Sequence, residues 1–145
     1  MFATYDFTKY PSDKIVTVNF SPNIENDKDF QDFLNKWSFL YELKNNFTFI
    51  FNCENVGYVP IKYALKMSLF IKSLKKNDIQ YLEKSIIYIP NTKAKKLLDF
   101  IFTIQPPVAP VYIINNLNLT ENILNNDIPE NIEIIYPKKS FLNLF

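Results

Sequence analysis

The sequence predicts an α/β domain with a mixed, mostly parallel sheet of five to six strands and three to four helices. Short β-branched and aromatic runs alternate with longer segments whose apolar residues repeat at helical spacing. Apolar residues make up 48% of the 145 residues and aromatic residues 17%, enough for a substantial core. No repeat or linker divides the chain, so we predict one domain over residues 1–137 and an apolar tail at 138–145.

The N-terminal region predicts a β-hairpin. Residues 2–7 form a first short strand, and the β-branched residues 15–20 form a second. A turn at Pro11-Ser12-Asp13 separates the two strands. They are close enough in the chain to pair in antiparallel fashion.

The first long helix begins near Asn26 or Asp27 and ends at Asn45-Asn46. Its core-facing residues repeat at i, i+3, i+4 and i+7; they are Phe30, Phe33, Leu34, Trp37, Leu40 and Tyr41. Residues 47–53 follow and are apolar on both faces. This run predicts the central strand, covered on both sides.

The second helix begins at Pro60 and extends to about Lys76. The predicted core-facing stripe consists of Ile61, Ala64, Leu65, Ser68, Ile71 and Leu74, widened by Tyr63, Met67 and Phe70. Lysines keep the rest of the helix in water; they are Lys62, Lys66, Lys72, Lys75 and Lys76.

The remaining elements continue the alternation. Residues 86–89 predict a buried strand that Pro90 stops. A third helix begins near Asn91-Thr92 and ends at Gln105-Pro106-Pro107, with Ala94, Leu97, Leu98, Ile101 and Phe102 on one face. The last predicted elements are a strand at 111–114, a helical turn at 119–125 and an edge strand at 132–136.

The composition narrows the possible chemistry. The chain has no histidine, and all 16 basic residues are lysines, so it lacks both a neutral-pH acid–base group and a bidentate guanidinium. Cys53 is the single cysteine, so neither an internal disulfide nor a cysteine-rich metal site forms. It is expected to be a small buried hydrophobe, with a reactive thiol as the alternative. We therefore predict a non-enzymatic protein without catalytic residues, metal or cofactor.

Charge and targeting signals bear on the partners and the cellular compartment of the protein. The net charge of +1 gives no reason to expect a nucleic acid partner. The N-terminus lacks the features of a signal peptide, and no apolar run reaches about 18 residues. Together with the single cysteine, this predicts a cytoplasmic protein without a transmembrane segment. Lysine without arginine, and 18 residues each of Asn and Ile, are typical of an AT-rich genome, such as that of a protist, an AT-rich bacterium or a large DNA virus.

The element order β-β-α-β-α-β-α-β-(α)-β over residues 2–136 resembles the STAS domain of anti-sigma-factor antagonists, to which the CRAL-TRIO lipid-binding fold is related. STAS antagonists carry an Asp-Ser-Ser-Gly-like turn after the third strand, and its first serine is phosphorylated. Here the turn reads Glu54-Asn55-Val56-Gly57. Asn55 stands at the phosphoacceptor position, so the resemblance implies a partner-binding module without that switch.

The candidate binding site is this turn together with the start of the second helix. Ligands often bind at the carboxyl ends of strands in open α/β sheets, where helix N-termini also attract anions. The candidate residues are Asn52, Glu54, Asn55, Gly57, Tyr58, Ile61, Lys62 and Leu65. The alternative is an ordinary connection in which Gly57 supplies a positive φ angle.

Two functions fit these features. The leading one is a STAS-like regulatory module that binds another protein or forms a homodimer. The alternative is a small CRAL-TRIO-like protein that binds a lipid or another hydrophobic ligand; the aromatic residues favour it and the short chain counts against it. The tail at 138–145 is expected to dock on its own domain, with a partner peptide or a dimer arm as alternatives.

Overall fold

The computed structural model describes residues 1–137, which contain six strands and five helices. The strands are β1 (Ala3–Asp6), β2 (Ile15–Phe20), β3 (Phe47–Asn52), β4 (Leu82–Tyr88), β5 (Val111–Ile114) and β6 (Glu133–Ile135). The helices are α1 (Tyr10–Asp13), α2 (Asp27–Glu42), α3 (Ile61–Leu74), α4 (Thr92–Ile104) and α5 (Thr120–Leu124), the last preceded by a 3₁₀ turn at Leu117–Leu119. The predicted tail at 138–145 lies outside the described residues.

The strands form one sheet in chain order, β1-β2-β3-β4-β5-β6. β2 to β5 are parallel, whereas the edge strands β1 and β6 run antiparallel to their neighbours. The mixed, mostly parallel α/β sheet is therefore confirmed, including the N-terminal antiparallel pair and the edge position of the last strand.

The chain order of the parallel strands determines where the long helices lie. Right-handed crossovers between successive neighbours place α2, α3 and α4 on the same face of the sheet. Their buried residues join one core with the alternate strand residues that point to that face, such as Val18 and Phe49. Between two of these helices, the Ser68 hydroxyl of α3 donates to the Ile101 carbonyl of α4 at 3.2 Å.

Aromatic packing fills much of the space between α2 and the sheet. The Trp37 ring contacts Phe49 and Phe51 of β3 at centroid distances of 4.9 and 5.6 Å. It also contacts Phe70 of α3 at 5.3 Å, so one side chain connects two helices to the sheet. All six residues predicted to face the core from α2 are buried.

The opposite face of the sheet is covered in part by α5. Ile123 of this helix packs with Ile86 of β4 and Ile114 of β5 in a second, smaller cluster. The Lys84 ammonium donates to the Ile123 carbonyl at 3.2 Å and so caps the end of α5. β3 is less completely covered than predicted, because Ile50 on this face is only half-buried.

Several predicted boundaries were wrong. The predicted turn at Pro11–Asp13 belongs to the single-turn helix α1, after which Lys14 adopts a left-handed conformation. β4 begins at Leu82 rather than at Ile86, because Lys84 and Leu82 also pair with β3, with a register shift at Glu83 between them. α2 ends at Glu42 and leaves Asn45-Asn46 in the connection to β3.

The buried side of α3 agrees with the prediction at Ala64, Ser68, Ile71 and Leu74 but differs at two residues of the predicted stripe. Ile61 and Leu65 are exposed, whereas Tyr63 and Met67 are buried. The Tyr63 ring packs on Phe30 of α2 at 4.9 Å, and its hydroxyl donates to Asp27 at 2.7 Å. These contacts place the Tyr63 side of the helix against α2, so Ile61 and Leu65 lie outside its buried side.

Replacing Phe49 with alanine tests the aromatic core. Phe49 is fully buried, so Phe49→Ala should lower the free energy of unfolding by about 3–5 kcal/mol through lost contacts and a new cavity. Phe39→Ala is the matched control, because Phe39 of α2 is exposed and should cost less than about 0.5 kcal/mol. Urea unfolding measures both values; equal losses would contradict the assigned core.

Candidate functional site

The outer side of α3 presents a row of exposed apolar side chains. Ile61, Leu65 and Leu69 are 63%, 43% and 66% exposed and follow one another at four-residue spacing. Tyr58, just before the helix, is 78% exposed. Residues four apart lie on the same side of a helix. We call these three residues, together with Tyr58 in the loop just before them, the α3 stripe.

The neighbouring helix α4 adds two apolar residues beside this stripe. The side of α4 that faces α3 is marked by Ile101, whose carbonyl binds Ser68, while Lys95 on the other side pairs with Glu133 of β6 at 2.8 Å. Phe100 and Ile104 lie one and three residues from Ile101 and are 38% and 48% exposed. Phe100 and Ile104 are four residues apart and share the side of α4 opposite Lys95, which is the side towards α3. The α3 stripe, Phe100 and Ile104 together form what we call the apolar face.

Lysines surround the apolar face. α3 contains no acidic residue, and its exposed lysines are Lys62, Lys66 and Lys72. α4 adds the exposed Lys93 and Lys96, while its acidic residue Asp99 is paired with Lys95 at 2.6 Å. The combination is an apolar centre with a basic rim.

One ion pair anchors the start of α3 to α2. The Lys62 ammonium lies 3.2 Å from the Asp27 carboxylate, which also accepts the Tyr63 hydroxyl. The hydrogen bond from Tyr63, followed by that from Lys62, lowers the pKa of Asp27. Asp27 is therefore charged at neutral pH and holds both groups in place. Lys62 serves mainly this contact, although it was predicted as a binding residue.

The loop between β3 and α3 divides the remaining predicted residues into two groups. The Asn52 side chain accepts the Glu54 amide at 3.0 Å, and the Gly57 amide donates to the Pro22 carbonyl at 3.0 Å. Asn52 and Gly57 therefore shape the loop, whereas Glu54 and Asn55 are exposed on it. Tyr58, Ile61 and Leu65 are brought together in the α3 stripe.

Gly57 is required for a close approach of two loops. The expected positive φ angle is wrong, because Gly57 does not adopt one. Instead, a Cβ atom at this position would lie 2.7 Å from the Pro22 carbonyl oxygen. The absence of a side chain lets the loop after β3 pack directly on the loop after β2.

Cys53 lies beside the core and is partly buried among apolar side chains. Desolvation raises the pKa of its thiol to about 12. The thiol is therefore protonated at neutral pH and is a poor nucleophile. Within residues 1–137, no group of three or more potential side-chain ligands could hold a metal ion. In the same range, no helix is long and apolar enough to cross a membrane.

Half of the residues of the apolar face were not predicted from the sequence. Leu69, Phe100 and Ile104 were not among the candidates, and Ile61 and Leu65 were predicted to face the core as well as a partner. A signal was present, since Leu69 continues the four-residue spacing of Ile61 and Leu65, and Phe100 precedes Ile104 by four residues. Recognising it required knowing which side of each helix is buried.

Substituting Gly57 tests the contact between the two loops. Gly57→Ala should lower the free energy of unfolding by about 1–3 kcal/mol, because the new Cβ atom meets backbone that must move. Asn55→Ala, in the same exposed loop, should change it by less than about 0.5 kcal/mol. Thermal or urea unfolding compares the two variants, and a neutral Gly57→Ala would show that the loops do not approach closely.

The protonation of Cys53 can be measured by alkylation with iodoacetamide. At pH 8 its thiolate fraction should be roughly three orders of magnitude below that of an ordinary thiol with a pKa near 8.5. The folded protein should therefore react correspondingly slowly, and its rate should rise with pH up to about 12. The same chain unfolded in urea is the control and should react at the ordinary rate. An equally fast reaction of the folded protein would contradict the raised pKa.

Comparisons of this chain with protein-family models, with curated proteins and with solved structures found no match. These comparisons therefore indicate no function for this chain. The structural features that bear on function are the exposed apolar face, its basic rim and the chemistry of the residues around them.

Proposed function

We propose that this chain is a non-enzymatic interaction module whose apolar face binds another protein. The observation that carries the proposal is the α3 stripe, in which three large apolar side chains lie exposed at four-residue spacing and the exposed Tyr58 lies just before the helix. Folded monomers seldom expose large contiguous apolar patches unless the patch contacts a partner. The residue types also fit, because tyrosine and phenylalanine are frequent in the centres of interfaces.

The shape and charge of the apolar face favour an amphipathic helix with acidic flanks as the partner element. Two adjacent helices with apolar rims offer a groove that suits the apolar side of a third helix. Lys66 and Lys72 on α3 and Lys96 on α4 provide a basic surround. Acidic residues beside the apolar side of the partner would complement it and accelerate association.

A STAS-like role remains part of the proposal. It is supported by the opening antiparallel pair, the alternation of parallel strands with helices, and a loop after β3 that leads directly into the proposed face. Asn55 replaces a phosphoacceptor in that loop, so we propose binding that does not depend on phosphorylation there. A cytoplasmic location belongs to the same proposal.

A defined peptide tests the proposed face. The probe is an amphipathic helical peptide of about 18 residues, five turns long, with leucines on one side and glutamates beside them. Leu65→Asp combined with Leu69→Asp should weaken its binding at least tenfold, as expected for loss of central interface side chains. Fluorescence anisotropy of the labelled peptide measures the affinity.

Two controls make this experiment specific. Ile79→Asp is the matched variant, because Ile79 is an exposed apolar residue in the connection between α3 and β4 and should not affect binding. A peptide with lysines in place of the glutamates should bind at least tenfold more weakly. Equal binding by the double aspartate variant would overturn the proposal, as would tighter binding to anionic phospholipid vesicles than to the acidic peptide.

A further inference from the structure

A cavity of about 140 Å³ lies between the sheet and the helix layer. Its walls come from α2, α3 and α4 on one side and from β2 to β5 on the other. A water molecule needs only about 10–15 Å³ of such space, so the cavity is far larger than a packing defect. It is comparable in size to an engineered apolar cavity of about 150 Å³ that takes up benzene.

The lining of the cavity is almost entirely apolar. No Asp, Glu or Lys lines it, and the neutral thiol of Cys53 forms part of the wall. The Tyr63 hydroxyl is already directed to Asp27. A charged ligand buried here would lose its hydration without gaining a counter-ion, so the lining selects an uncharged molecule.

Ser85 is the polar exception in this wall. It lies on the helix-facing side of β4 and is buried, and within residues 1–137 its hydroxyl makes no hydrogen bond to another residue. Buried hydroxyl groups normally have a partner. A ligand with one hydrogen-bonding group would supply that partner.

Small side chains keep the cavity open. The chain contains four alanines, and three of them, Ala64, Ala94 and Ala109, line the cavity. The rest of the cavity wall, like the rest of the core, consists mainly of larger apolar residues such as phenylalanine, leucine and isoleucine. Larger residues at these three positions would occupy the free space.

The structure also offers a route of entry. The half-buried residues Ile24, Val56 and Val59 belong to the cavity wall and lie in the loops after β2 and β3. Loops open locally at lower energetic cost than strands or long helices do. A small molecule could enter where these two loops meet, next to Gly57.

We propose that this cavity is a binding site for a small uncharged molecule of the size of a substituted benzene, held by apolar contacts and one hydrogen bond to Ser85. The site is separate from the apolar face, since Ala64 points inward from α3 and Leu65 outward. It gives the protein a ligand-binding function in addition to the proposed protein contact.

Toluene and p-cresol, which differ by one hydroxyl group, test the proposal. Both should shift the emission of Trp37, the single tryptophan, because its ring lines the cavity. Both should also raise the thermal midpoint, and the rise should grow with the logarithm of the ligand concentration once this exceeds the Kd. p-Cresol should bind about fivefold more tightly than toluene, and Ser85→Ala should remove this difference.

Variants in which a larger side chain fills the cavity, which we call filled variants, provide the decisive comparison. Ala94→Leu and Ala64→Leu should each weaken toluene binding at least tenfold while retaining the circular dichroism spectrum of the folded protein. Ala3→Leu is the matched control, because Ala3 is buried but does not line the cavity, so this variant should bind toluene normally while losing stability. If either filled variant fails to fold, the other and the Ser85→Ala comparison still decide the outcome.

The proposal would be overturned by wild-type protein that shows no Trp37 shift and no rise in midpoint with either ligand. Toluene binding that survives both filled variants would overturn it too. The Leu65→Asp, Leu69→Asp double variant separates the two sites: it should bind toluene like wild type. Loss of toluene binding in that variant would place the ligand on the apolar face instead.

Discussion

The packing of Trp37 between the sheet and α3 is the contact on which the rest of the structure depends. Its ring touches both Phe49 and Phe51 of β3 and Phe70 of α3, so it sets the separation between two helices and the sheet. The indole N–H has no acceptor within residues 1–137, which costs about 1–3 kcal/mol. The aromatic contacts must outweigh that cost. The same ring lines the cavity between the helix layer and the strands.

The side of α3 that is buried follows from a second set of contacts, between α3 and α2. Tyr63 binds Asp27 and packs on Phe30, which commits one side of the helix to α2. Once that side is buried, Leu65 and Leu69 are left exposed on the part of the chain that the structure describes. The apolar face is thus a consequence of how α3 is anchored, and its exposure does not require any change of conformation. A partner could bind a surface that is already formed, without the entropic cost of ordering it.

The sequence predicted some helices well and others poorly for identifiable reasons. In α2 the apolar residues occupy one side only, so their spacing alone identified all six buried positions. α3 carries apolar residues around most of its circumference, and spacing could not distinguish the side of Tyr63 and Met67 from that of Ile61 and Leu65. The side of Tyr63 is buried because its hydroxyl donates a tertiary hydrogen bond to Asp27, a residue 36 positions away in the chain. The cavity was beyond prediction because it depends on side-chain volumes contributed by seven different elements.

The cavity lowers the stability of the fold, and the alanines in its wall bear on why it is retained. At about 24 cal/mol per Å³, a cavity of 140 Å³ costs about 3 kcal/mol when nothing occupies it, a substantial part of the 5–15 kcal/mol by which folded domains are usually stable. This chain is poor in alanine and rich in larger apolar residues, yet three of its four alanines lie at the one place where larger residues would remove that cost. Selection for stability alone would favour filling the space. A ligand that occupies the cavity offsets the cost while leaving the space available, which is the simplest physical reason for keeping small side chains there.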